Sequence, residues 1–200
     1  MIIIFDTETT GLPKKGHKWR ENWKDFPHIV QLSWKVLGSE YVKDYIIKPN
    51  GYEIPESASK VHGITTERAL KEGVRIDGVM NEFLYDAYQA DFLIGHNINF
   101  DTSIVKANYI RIISKFEDRR KSKIMFDNML ETLDKDKRID TMMKSIKFCN
   151  IPSNYGGLKW PRLEELYFKL FNETFNAHNS KDDVLATERC YLELQKRGII

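Results

Sequence analysis

Two cysteines, Cys149 and Cys190, are all that this 200-residue chain contains. They form no C-x-x-C pair, so neither a disulfide framework nor a cysteine-rich zinc site is expected. No apolar run approaches the roughly 20 residues that cross a bilayer as a helix. Met1-Ile2-Ile3-Ile4-Phe5-Asp6 lacks the basic start and the small-residue cleavage site of a signal peptide. A soluble protein of a reducing cytoplasm, without membrane contact, is the resulting expectation. Charge of one sign is scarce too. The 31 Lys and Arg against 29 Asp and Glu leave +2, too little to mark a nucleic-acid binder. No linker rich in Pro, Gly or Ser divides the sequence and no repeat recurs, so one domain over residues 1–200 is expected.

At 42% hydrophobic and 12% aromatic, the chain can bury a substantial core, which excludes disorder. Met1 to Phe5 is apolar at odd and even positions alike, the pattern of a strand covered on both faces. Ile29–Leu37 and Tyr41–Lys48 read as a hairpin around Gly38-Ser39, which would place a three-strand meander at one side of the sheet. Pro49-Asn50-Gly51 and Pro55 break the pattern. Short helical signals begin at Thr65, and Ile76–Tyr88, Phe100–Phe116, Met125–Leu133, Asp140–Phe148, Leu163–Phe171 and Asp182–Lys196 read as helices, with a short buried strand at Phe92–Gly95. This order argues an α/β fold with a mixed central sheet flanked by helices. Two locally basic stretches, Lys14–Asp25 and Lys115–Lys123, suit phosphate contact, though charge alone favours a solvated loop and a solvated helix face. In the first, Trp19 and Trp23 either stack on a base or pin the loop to the domain.

The acids carry more information. Asp6 and Glu8 stand two apart at the end of the first strand, so their side chains project from one face. Two adjacent carboxylates need a proton or a cation between them, unless the strand has ended and both are in water. Asp101, in Gly95-His96-Asn97-Ile98-Asn99-Phe100-Asp101, follows another strand and a pair of good helix caps. An acid there is stabilised by the helix dipole, yet it can also face the crevice where ligands collect at strand ends. Asp183 opens the last helix, where Ser180 and Asp183 fit a capping box, and His178 precedes it on a loop. Carboxylate oxygens suit hard cations such as Mg²⁺ or Mn²⁺, and two of these about 4 Å apart would clamp the oxygens of a phosphoryl displacement.

With these motifs in place, the sequence resembles the DEDD exonucleases, in the branch with a catalytic histidine. The family includes the proofreading subunit of bacterial replicative polymerases and the small three-prime repair exonucleases. The first motif matches as Phe5-Asp6-Thr7-Glu8-Thr9-Thr10-Gly11-Leu12, the second as Gly95 to Asp101, and the third as His178 followed by Asp183. Weaker echoes are His28-Ile29-Val30-Gln31-Leu32, Val61-His62-Gly63-Ile64-Thr65 and Ile139-Asp140-Thr141. His178 stands five before Asp183, as in the histidine branch, while Asn179 occupies the place of the tyrosine in the other branch; Val184 replaces a common Ala.

The resemblance implies a ribonuclease H-like fold in which Asp6, Glu8, Asp101 and Asp183 hold two divalent cations, Mg²⁺ or Mn²⁺. It also implies His178 as general base and release of nucleoside 5′-monophosphates from the 3′ end of a nucleic acid, DNA in the first instance. Thr7, Thr9, Thr10 and Leu12 would hold the terminal nucleotide, Leu12 against the last base, with Asn97 near the scissile strand. An RNA-trimming enzyme of the same fold, a subunit acting through a polymerase partner and a non-catalytic binding domain are the alternatives. The last helix ends close to Ile200, leaving no evident tail for a polymerase, and all five positions of the motif are present, which disfavours a binding-only domain. No heptad seam or amphipathic tail gives a basis for an oligomeric state.

Overall fold

The computed structural model describes all of residues 1–200. A five-stranded sheet of order β3-β2-β1-β4-β5 forms its centre. Strand β1 (Ile2–Thr9) pairs antiparallel with β2 (Ile29–Val36) and parallel with β4 (Phe92–Gly95). Beyond β2 lies β3 (Lys43–Ile46), antiparallel, and beyond β4 lies β5 (Arg138–Asp140), parallel. The meander of three strands is therefore present, and the sheet is mixed as expected.

Central placement explains the composition of β1. Ile3 and Phe5 pack into the main core with Phe83 and Ile104, from α3 (Ile76–Gln89) and α4 (Ile98–Ile113). Ile4, pointing the other way, packs with Val184 and Tyr191 of α8 (Ser180–Lys196). A strand buried on both faces must be apolar at every position, which is how Ile2 to Phe5 reads. A second core joins Cys149, Leu166, Cys190 and Leu194 of α6 (Thr141–Cys149), α7 (Leu163–Phe171) and α8. Both thiols are free there, and burial pushes that of Cys190 up to about 12.

Several boundaries differ from the sequence reading. Strand β1 continues four residues past Phe5, because Asp6, Thr7 and Glu8 still pair with Ser33, Leu32 and Gln31 before a register shift at Thr9. Helix α1 (Glu56–His62) was not anticipated: Pro55 stands at its entry, where a missing amide hydrogen costs nothing, rather than as a break. Thr65 does cap α2 (Thr66–Glu72), accepting from the Arg68 amide at 3.2 Å. Helix α5 (Arg119–Thr132) starts six residues early, capped by Asp118. Strand β5 is only three residues long, too short to show a period. Trp19 and Trp23, both partly buried, pack against the main core, with the Lys106 ammonium 5.2 Å from the Trp19 ring, which pins the basic loop to the domain. No helix is long and apolar enough to cross a membrane.

Candidate active site

Asp6 and Glu8 lie inside β1, not in water beyond it, on the face that α8 covers. The start of α8 is sewn to the sheet by buried polar contacts. The Ser180 hydroxyl lies 2.5 Å from that of Ser33, and the Ser180 amide donates to Gln31 Oε1 at 3.3 Å. Ser180 is thus no cap; Asn179 takes that role, accepting from the Lys181 amide at 3.2 Å. Held this way, the first turn of α8 brings Asp183 over β1. One carboxylate oxygen from each of Asp6, Glu8 and Asp183 lies within 4.8 Å of the others. Asp183 Oδ1 is buried and has no hydrogen-bond partner.

Asp101 reaches the centre from the opposite side of β1. Buried in the first turn of α4, it accepts at Oδ1 from the Thr7 hydroxyl (2.7 Å) and the Thr7 amide (3.1 Å). Neither preceding asparagine caps that helix with its side chain. Asn97 sits at its head with φ +69° and donates its amide to Asp140 Oδ1 at 3.0 Å, while Asn99 accepts from Arg138 at 3.0 Å.

Four acids this close resist ionisation. Burial first, then the Asp101, Asp183 and Glu8 carboxylates, push Asp6 well above the usual range. Burial and the Asp183 and Asp101 charges raise Glu8 to about 8. Burial lifts Asp101 to about 7 against the two Thr7 hydrogen bonds that favour its charged form. Asp183 also rises to about 7, from burial and the charges of Glu164, Asp182 and Asp101, opposed by a backbone hydrogen bond from His178. Such a site is strained without a counter-charge.

His178 is exposed at the rim, with φ +66°, and its Nε2 lies 3.6 Å from Glu164 Oε1. Sequence reading missed Glu164, since nothing in one chain relates the first turn of α7 to a loop residue 14 positions later. It also missed His96 as an organiser. His96 Nε2 donates to the Pro161 carbonyl at 2.9 Å and Nδ1 lies 3.0 Å from the Thr141 hydroxyl, joining β4 to the segment before α7.

The expected nucleotide-holding residues divide. Thr7, expected to hold the terminal nucleotide, is buried and its hydroxyl donates to Asp101. Thr9 donates its hydroxyl to the Gly11 carbonyl at 2.6 Å, and Thr10 accepts the His28 amide at 2.9 Å. Both shape the turn after β1, helped by Gly11 at φ +142°. Leu12, carried on that turn, is 82% exposed and is not core. Asn97 is exposed at the head of α4.

The RNase_T family model, described as an exonuclease, matches residues 3–191. The chain belongs to the exonuclease family. Among solved structures, it is similar to Escherichia coli Exonuclease I in complex with a dT13 oligonucleotide, at 19% identity and TM-score 0.69, covering 98% of this chain and 41% of that one. Exonuclease I from Methylocaldum szegediense matches at 18% identity and TM-score 0.67, covering 98% and 40%. A zinc-bound E. coli Exonuclease I with single-stranded DNA matches at 20% and 0.65, covering 98% and 40%. This chain therefore spans about two fifths of the length of those proteins, and at such identities the likeness establishes the ribonuclease H-like fold. No curated protein matches the sequence. The divalent cations used by exonucleases fit this centre: the donors are carboxylate oxygens, no sulfur or imidazole cluster competes, and Asp183 Oδ1 is buried without a partner.

Proposed function

We propose that residues 1–200 act as one 3′–5′ exonuclease domain of the histidine branch, hydrolysing the terminal phosphodiester of DNA and releasing nucleoside 5′-monophosphates. The observation that carries this reading is the convergence of Asp6, Glu8 and Asp183 within 4.8 Å, with Asp101 alongside. These four acids would hold two divalent cations, Mg²⁺ or Mn²⁺. A bound pair supplies charge neutralisation for the attacking and leaving oxygens of the displacement. The chain's own work is positional. Asp101 is oriented by Thr7, and Asp183 by the junction of α8 with β2. His178 takes the proton of the attacking water on its imidazole, and the Glu164 carboxylate 3.6 Å away faces the charge that then develops. Leu12 lies against the terminal base, on the turn built by Thr9 and Thr10, and Asn97 lies beside the scissile strand.

DNA is favoured over RNA because Exonuclease I has been solved with dT13 and dA16 bound. The test uses matched 5′-labelled DNA and RNA oligonucleotides with Mg²⁺ or Mn²⁺, a chelator control and the Asp6→Ala and Asp183→Ala variants. A metal-dependent ladder shortening from the 3′ end, faster on DNA and absent in both variants, is expected. A faster RNA ladder would make this an RNA-trimming enzyme. No cleavage by the folded, metal-loaded protein would move the reading to a subunit that works only with a polymerase partner.

A further inference from the structure

Four tryptophans are present, of which one is buried and two are partly buried. Trp34 is buried, and Trp19 and Trp23 pack on the main core. Trp160 is 63% exposed, and Tyr155, five residues before it, is 100% exposed. Large aromatic side chains are ordinarily buried for most of their area, and a Trp left in solvent on an ordered segment lacks an account from folding alone.

Both rings sit on a small hairpin between α6 and α7. Pro152 bridges Leu158, the Ser153 amide donates to the Gly157 carbonyl at 2.9 Å, and the Lys159 amide donates to the Ile151 carbonyl at 2.9 Å. Gly156 (φ +91°) and Gly157 (φ +72°) make the tip, next to Tyr155. The hairpin's root is tied to the acid centre. Pro161, next to Trp160, accepts from His96, the neighbour of Asn97. Lys159 pairs with Glu165 at 2.5 Å, and Glu164 faces His178 at 3.6 Å. The segment that carries the two exposed rings is thus joined at its base to His96, and its continuation through Glu164 faces His178.

We propose that this hairpin is a base-stacking arm. Trp160 and Tyr155 take unpaired bases of the strand whose 3′ end lies at the acids, a few nucleotides upstream of it. The ligand class follows from the chemistry: flat, exposed rings on a segment joined to the acid centre's second motif suit the π-faces of any base, independent of sequence. Paired bases keep their faces stacked within a duplex, so the arm would favour single strands over blunt ends. This rests on the proposed function for what occupies the acid centre, but its binding test does not depend on turnover.

The Trp160→Ala, Tyr155→Ala double variant is compared with wild type, with Trp160→Phe as the conservative replacement. Fluorescence anisotropy in metal-free buffer reads the affinity for a labelled 12-nucleotide single strand and for a blunt duplex. With metal, hydrolysis of the same strand is compared with that of the p-nitrophenyl ester of thymidine 5′-monophosphate, which has no upstream bases. Loss of stacking is expected to weaken single-strand binding about 5- to 150-fold for each base released. The ester should be cleaved at an unchanged rate, the duplex should bind equally to both proteins, and Trp160→Phe should retain most of the affinity. Because both rings are exposed, melting temperature should not move. Unchanged single-strand affinity in the double variant would overturn the proposal. So would an equal loss on strand and ester, which would place the effect in the acid centre through His96, or dissociation of a dimer by the variant without loss of affinity. Failure of the wild type to cleave either substrate counts against the exonuclease reading alone, since the anisotropy arm still decides the stacking role.

Discussion

Thr7 gives both its hydrogens, from amide and hydroxyl, to a single oxygen of Asp101 across 94 positions of sequence. Strand β1 thus supplies acids from one face and steadies a third acid from the other. Thr7→Val keeps the amide donor and the shape but removes the hydroxyl donor. Partners that orient a metal-holding carboxylate typically contribute 10- to 100-fold in metal affinity or activity, so a loss of about that size is expected. A titration of activity against Mg²⁺ should show a raised metal requirement, restored by Thr7→Ser. A wild-type titration curve for Thr7→Val would remove Thr7 from the site.

Crowded acids predict a stability that depends on pH. Glu8 titrates near 8 in the folded chain and Asp101 and Asp183 near 7, all above their unfolded values near 4. The folded protein then binds more protons than the unfolded one between roughly pH 4 and 8, so this contribution to stability is present at low pH and is lost as pH rises. Glu8→Gln removes one such group. Without metal it should melt higher than wild type at pH 8.5, by on the order of a few °C, and the gap should close by pH 5. His28, lowered to about 4 by burial and the Arg111 charge, acts the other way as acid is added, but it does so equally in both proteins. Saturating Mg²⁺ should reverse the order at pH 8.5, because wild type binds it more tightly. A gap independent of pH would contradict the electrostatic account.

Loss of the imidazole in His178→Ala should slow hydrolysis by roughly 10²–10⁴-fold with little change in KM for the oligonucleotide, the usual cost of removing a general base. Glu164→Gln should cost less, since it leaves the imidazole in place. Rates near wild type for His178→Ala at neutral pH would exclude it as the base.

Away from the acids, one largely buried ion pair joins the sheet to the last helix. Lys35 of β2 and Glu188 of α8 meet at 2.5 Å, both largely covered, and Glu188 also accepts the Gly38 amide at 3.2 Å. Glu188→Gln leaves a buried ammonium without its counter-charge, at about 3–5 kcal/mol. Thermal melting should fall by roughly 10 °C. Replacing both partners, as Lys35→Met with Glu188→Leu, should recover most of the loss. If the single variant melts like wild type, the pair is solvated enough to be dispensable.

Much of this protein was legible from its order of residues. An uninterrupted apolar run announced the central strand, D-x-E placed two carboxylates on one face, and helix starts after a strand and a loop located Asp101 and Asp183. The reason is local: strand alternation and helix periodicity are properties of neighbouring residues. What stayed hidden depends on partners far along the chain. Only the pairing of β1 with β2 carries Asp6 and Glu8 into the sheet, and only the Ser180 contact with Ser33 turns an apparent cap into a support for the acid centre. Thr7 reads from sequence as a residue facing the ligand, whereas in the fold its hydroxyl donates to Asp101. Burial and hydrogen-bond choice are settled by tertiary packing, because each polar group takes whichever partner the assembled fold brings within about 3 Å.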